Sequence, residues 1–185
     1  AILVQARVGS SRLPNKIILP FYNDNSLLNL LFCKLSSNFN VPIILATTIN
    51  PLDDPLEKLA KQSDILVNRG SENNVIERFV ESAEKFNVDT IVRICSDNPF
   101  LSVKYLNELI SNWNDSLDYL SFAMKDGTPS ILTHYGFWAE MVSLKALQKA
   151  DEILSATDAH REHVTSYIYT NPKIFKTNFL NIPDS

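Results

Sequence analysis

Ala1-Ile2-Leu3-Val4-Gln5-Ala6-Arg7-Val8-Gly9-Ser10-Ser11-Arg12-Leu13-Pro14-Asn15-Lys16 is the stretch on which the fold turns. Its first four residues form a short apolar run, the pattern of a parallel strand buried on both faces. Residues 5–16 have no apolar face and carry Gly9 and Pro14, so the strand runs straight into a loop. That loop holds three cations (Arg7, Arg12 and Lys16), the hydroxyls of Ser10 and Ser11, and several backbone amides. A triphosphate asks for such a donor set: arginine chelates two phosphate oxygens, lysine supplies a compact charge, and Gly9 lets the backbone approach. Asn15 suits a turn with positive φ. The alternative is a solvated loop whose cations face water. The loop fits neither the Walker A nor the GxGxxG pattern.

Outward from this loop, strand and helix patterns alternate. Leu27, Leu28, Leu31 and Leu35 recur at helical spacing behind Asn25 or Ser26 as cap. Pro42–Ala46 reads as a strand, and Asp53 and Asp54 as caps of a helix with Pro55 in its first turn. Strand Ile65–Val67, helix Val75–Ala83, strand Thr90–Ile94, a helix carrying Leu106 to Trp113 and strand Asp118–Ser121 follow. Such alternation predicts a mostly parallel sheet with helices on both faces and ligands outside the carboxyl ends of the strands. Beyond residue 121 the reading is an extended stretch over 132–142, a short helix at Leu144 and Leu147, another from Thr157 or Asp158 through Ile168, and a late strand over Ile174–Leu180.

The 185 residues suit one domain, 1–185, and 45% of them are apolar, enough for a sizeable core. A net charge of −4 speaks against a nucleic-acid surface, and no apolar run is long enough to cross a membrane. Cys33 and Cys95 lack metal spacing and are expected as reduced core residues of a cytoplasmic protein. The start at Ala1 and the loop-like end at Ser185 suggest a piece trimmed at its C-terminus. Asp97, after the fourth strand, lies opposite the basic loop and is a natural Mg²⁺ anchor, since that ion takes one or two carboxylates plus phosphates and water. A turn or helix-cap aspartate before Asn98-Pro99 is the alternative.

Residues 5–16 closely resemble the QARMGSTRLPGK opening of the spore coat polysaccharide cytidylyltransferases, relatives of CMP-sialic acid synthetases and of the enzymes that activate 3-deoxy-octulosonic acid. Ala46 to Pro55 resembles ATTxNPxDDP, Arg69-Gly70-Ser71-Glu72 resembles RGSE, Val92 to Pro99 resembles VRITGDCP, and Arg161 to Thr165 resembles REHVT. These motifs lie in order over residues 2 to about 165.

The resemblance implies a three-layer α/β/α, Rossmann-like (GT-A-like) nucleotidyltransferase fold. It implies CMP transfer from CTP to a small sugar, such as a 2-keto-3-deoxy or sialic-like acid, with pyrophosphate release in surface polysaccharide synthesis. Arg7, Arg12, Lys16 and Asp97 would be catalytic. Ala6, Gly9, Ser10 and Ser11 would add nucleotide contacts, Asp97 would carry Mg²⁺, and Gly70, Ser71 and Arg78 would lie near the base. Arg78 could instead pair with Glu81 or Glu84. Arg161 would hold an acceptor carboxylate, unless it and His163 serve packing or a subunit contact. Glu140 and Trp138 would face the acceptor in a stretch where relatives read DGLDVEV, and there Trp138 replaces an aspartate. A homodimer is expected from the relatives, and a second metal-binding aspartate aligns beyond Ser185. Another nucleotide or a phosphorylated sugar as substrate, and a non-catalytic binding module, are the competing readings.

Overall fold

A computed structural model describes residues 1–9, 13–133 and 135–182 of the chain. Strand β1 (Ile2–Gln5) is an interior strand of the sheet. Its side chains alternate, as a strand's must, so Ile2 and Val4 enter one core and Leu3 the other. The loop then leads into a small hairpin, β2 (Pro20–Tyr22) and β3 (Asn25–Ser26), and helix α1 (Leu27–Asn38), with the Ser26 hydroxyl capping Asn29 N. The sequence pattern had no counterpart for that hairpin, whose strands are too short for periodicity to register.

The rest alternates as expected: β4 (Ile43–Thr48), α2 (Asp54–Gln62), β5 (Leu66–Gly70), α3 (Val75–Lys85), β6 (Thr90–Cys95), α4 (Val103–Ser111) and β7 (Tyr119–Ala123). Then come β8 (Glu140–Ser143), α5 (Leu144–Ile153), α6 (Ser166–Thr170) and β9 (Thr177–Asn181). Seven strands form one sheet in the order β5-β4-β1-β6-β8-β7-β9, parallel except for β8. Leu28, Phe32 and Leu35 of α1, Leu56 of α2 and Leu106 and Leu109 of α4 pack with Ile2, Val4 and Ile94 on one face. Phe79 and Ala83 of α3, Leu147 of α5 and Ile168 of α6 pack with Leu3, Ile44 and Val142 on the other. The result is the three-layer α/β architecture.

Four local expectations are corrected. Residues 132–142 are extended only from Glu140; before it lie a 3-10 turn at Ser130–Leu132 and a loop. The helix expected from Thr157 is a 3-10 turn (Ala159–Arg161) and the short α6, separated by Val164 at φ 40°, which breaks helical geometry. Asp53 stands at the α2 N-cap but makes no cap bond, because its carboxylate is taken elsewhere. Cys33 is exposed and Cys95 half-buried, both with free thiols.

Candidate active site

β1 and β6 are parallel neighbours with Gln5 beside Cys95, so the loop after β1 and the turn after β6 leave the sheet at the same edge. Asn15 adopts φ 61°, as its residue type suggested, and its N–H returns to the Val8 carbonyl at 3.2 Å. That closure brings Lys16 back across the sheet edge, where its ammonium lies 2.8 Å from Asp97 Oδ2. Two residues 81 positions apart, singled out separately from the sequence, thus form one charged pair.

A buried carboxylate fixes the start of the loop. Asp53 accepts from the Val8 N–H at 2.8 Å and from the Thr48 hydroxyl. Val8 and Ala6 point into the core, leaving Arg7 and Gly9 exposed between and after them. Arg7 reaches Glu162 at 3.0 Å. Glu162 was not singled out from the sequence, although it lies inside the REHVT-like motif; only the fold carries that segment to the loop. Ser10, Ser11 and Arg12 lie outside the described residues.

The RGSE-like turn sits at the carboxyl end of β5. Gly70 is needed there, because a Cβ would lie 2.6 Å from a Glu81 carboxylate oxygen and 3.1 Å from Arg78 Cγ. The Ser71 hydroxyl accepts from Asn74 N, and its carbonyl accepts from Arg78 Nη1 at 2.6 Å. Arg78 is fully buried and pairs with neither Glu81 nor Glu84, and its Nε and Nη2 have no partner. Burial, and then Arg7, lower its pKa to about 10, so it remains a cation at neutral pH. Arg69 is structural, bonded to the Thr48 and Asn50 carbonyls and to Asp54 and Glu57.

Beside Asp97 opens a cavity of about 210 Å³, lined by Asn98, Thr133, Tyr135, Gly136, Trp138 and Glu140 among others. Glu140 floors it but is not available to a ligand in the way expected. Both its oxygens are taken, one by Arg93 and the other by the hydroxyls of Tyr119 and Thr165. Burial, followed by Glu140, pushes the Tyr119 phenol well up, which keeps it a donor. Burial likewise pushes the Cys95 thiol up, so this lining group is not a nucleophile at neutral pH. Trp138 lies at the cavity within an aromatic cluster of Tyr105, Tyr135 and Phe137.

Arg161, expected to hold an acceptor carboxylate, is engaged within the protein. Its guanidinium binds Asp151 and the carbonyls of Asp151, Leu154 and Ser155, closing the C-terminus of α5. Free carbonyls at a helix end attract cations, which is what holds this side chain away from an acceptor. His163 is exposed. Among the described residues no group of three or more His, Cys, Asp and Glu could hold a metal ion. No helix among them is long and apolar enough to cross a membrane.

Comparison with known proteins gives the family. The cytidylyltransferase family model matches residues 1–183. An uncharacterized protein of Methanocaldococcus jannaschii is 35% identical over 98% of this chain and 72% of its own length. The spore coat polysaccharide biosynthesis protein SpsF of Bacillus subtilis is 30% identical over 98% of this chain and 75% of its own. The solved structure of a cytidylyltransferase from Leptospira borgpetersenii superposes with a TM-score of 0.83 at 31% identity, over 100% of this chain and 75% of that one. With the basic loop, the aspartate opposite it and a family model that spans nearly every residue, this chain belongs to the cytidylyltransferase family.

Proposed function

We propose that the protein transfers the cytidylyl group of CTP to a sugar and releases pyrophosphate, in the synthesis of a surface polysaccharide. The observation that carries this reading is the Lys16–Asp97 pair, which sits where the phosphate loop meets the cavity. An acceptor oxygen held in the cavity attacks the α-phosphorus in line, and the bond to the β-phosphate oxygen breaks. Such chemistry is mostly positioning and charge neutralisation.

Arg7 and Lys16, joined by Arg12, hold the β- and γ-phosphates, with amides and hydroxyls from Ala6, Gly9, Ser10 and Ser11. In the protein alone, Glu162 and Asp97 occupy the Arg7 and Lys16 cations. The triphosphate takes over those cations on binding, which frees the Asp97 carboxylate. Gly70, Ser71 and Arg78 form the base end. A buried arginine with two unpaired donor atoms is costly to the fold alone, so a ligand carbonyl is the natural partner. Asp97 fits a Mg²⁺ ion, being a half-exposed carboxylate beside the phosphate loop, and the metal would neutralise charge on the transferring phosphate.

Binding of CTP, UTP, GTP and ATP measured side by side tests the reading, together with pyrophosphate release from CTP in the presence of sugars. CTP is expected to bind best, and Lys16→Ala to weaken it by about 1.5–3 kcal/mol, the worth of charged hydrogen bonds. Equal affinity for all four nucleotides, or none for CTP, would overturn it. CTP binding without turnover by any sugar, in the full-length protein, would leave a binding module instead.

A further inference from the structure

Three of this chain's departures from the family motifs lie in one cavity. The basic loop keeps its cations and Gly9 and departs from its motif at Val8, Ser11 and Asn15. In the stretch resembling VRITGDCP, however, Cys95 stands for Thr and Asn98 for Cys, and Trp138 stands for an Asp of DGLDVEV. Cys95, Asn98 and Trp138 all line the 210 Å³ cavity beside Asp97.

The chemistry of that cavity is specific. None of its described lining residues is cationic. Its two carboxylates, Asp97 and Glu140, are already matched by Lys16 and Arg93. An acceptor carboxylate inside it would meet no counter-charge among the described lining side chains, which is unfavourable. Arg161, the residue expected to receive one, is tied to α5. One wall is instead aromatic. Trp138 is held edge-on by Phe137 at 5.6 Å and Tyr135 at 6.3 Å, and Tyr135 is 57% exposed at the rim. The Asn98 carboxamide also lines the cavity, and Gly136 packs against it so closely that a Cβ would sit 2.9 Å from Asn98 Oδ1. That amide makes no hydrogen bond with any described residue, which leaves it both donor and acceptor for a ligand.

We propose that Trp138 and Asn98 are specificity-determining residues and that the cavity takes an uncharged sugar ring. One apolar face of the ring lies on the Trp138–Tyr135 wall, and Asn98 reads hydroxyl or acylamido groups on its edge. The reacting oxygen, a hydroxyl or a phosphate monoester, remains at the rim near Lys16 and Asp97. In the transfer, that oxygen bonds to the α-phosphorus and the bond to the departing pyrophosphate breaks; a hydroxyl also gives up its proton to water, whereas a phosphate monoester arrives ionised. The inference rests on the proposed function for the cavity's role, and it narrows the acceptor to a sugar without a carboxylate.

Trp113 and Trp138 are the two tryptophans of the chain, so Trp113→Phe leaves Trp138 as the sole indole reporter. In that background, N-acetylglucosamine, N-acetylglucosamine 1-phosphate, N-acetylneuraminate and 3-deoxy-octulosonate are titrated with and without CTP and Mg²⁺, while pyrophosphate release is followed. Half-saturation by an uncharged-ring sugar at least tenfold below that of either sugar acid is expected, and the free sugar against its phosphate tells which oxygen reacts. Asn98→Ala in the same background should raise that half-saturation at least tenfold with the dissociation constant of CTP unchanged. In turnover, Trp138→Asp should do the same to the KM of the sugar. A sugar acid that binds as well or better, or a Trp138 signal silent to every sugar while CTP binds, would overturn the proposal. Loss of CTP binding would instead remove the proposed function, and the response of Trp138 to sugar alone would still decide the cavity.

Discussion

Replacing Asp53 tests whether a buried carboxylate sets the register of the phosphate loop. Asp53 is 2% exposed and accepts from the Val8 N–H and the Thr48 hydroxyl, while Thr48 Oγ1 in turn accepts from Asn50 N at 3.1 Å. Hydrogen bonds to a charged group contribute about 1.5–3 kcal/mol each, so Asp53→Ala should cost about 3–6 kcal/mol. Asp53→Asn keeps an acceptor for Val8 but faces the Thr48 hydroxyl with a second donor, and should cost about 1–3 kcal/mol. In urea, with an m-value of about 2 kcal/mol/M, the alanine variant's midpoint falls by about 1.5–3 M and the asparagine variant's by less. The functional consequence is separate. With the bond to Val8 reduced from a charged to a neutral acceptor and the Thr48 contact disturbed, Arg7 and Gly9 lose part of their fixed placement, and CTP affinity in the still-folded asparagine variant should fall on the order of tenfold. Equilibrium urea unfolding and CTP titration of the same preparations give both numbers. If Asp53→Ala lost less than about 1 kcal/mol, or Asp53→Asn bound CTP as tightly as wild type, the anchor would not act on the loop.

Three further substitutions separate support from function. Arg78→Met removes a buried cation with two unpaired donors at the loss of one bond to Ser71, so stability should stay level or rise by about 1–2 kcal/mol while CTP affinity drops; a large destabilisation with intact CTP binding would make Arg78 purely structural. Gly70→Ala should cost about 1–3 kcal/mol in thermal or urea unfolding: Glu81 can swing away from a new Cβ, but the buried Arg78 stem cannot. Glu140→Gln should cost about 3–5 kcal/mol by stranding Arg93, and Tyr119→Phe about 1–2 kcal/mol. Because both act on one carboxylate, the double variant should lose less than the sum, and strict additivity would show that the network is not coupled.

What the sequence disclosed follows from the range of the forces involved. β1, β4 and β6 could be read because strands buried on both faces are continuous apolar runs, and α1 to α4 because helical spacing repeats within one or two turns. The positive φ of Asn15 was legible because it depends on one residue's own sterics. The Lys16–Asp97 pair was legible only in part: each residue is marked by type and by its place after a strand, but the 2.8 Å contact depends on β1 and β6 being neighbours.

Three side chains singled out from the sequence share a circumstance, which is competition for each by other partners in the folded protein. Asp53 has the residue type and position of a helix cap, yet a charged acceptor gains more from the buried Val8 N–H, 45 positions away, than from a half-exposed helix end. Arg161 has the charge to hold an acceptor carboxylate, and the open carbonyls of α5 with Asp151 claim it first. Glu140 has the charge to bind a ligand and is instead consumed by Arg93, Tyr119 and Thr165, from three different elements. In each case the local reading named the right chemistry and the fold assigned it a different recipient. The same rule sharpens the acceptor question. With Glu140 bound to Arg93 and no cation among the described lining residues, the cavity beside Asp97 offers an amide and an aromatic wall, which is why the proposed acceptor is an uncharged sugar ring.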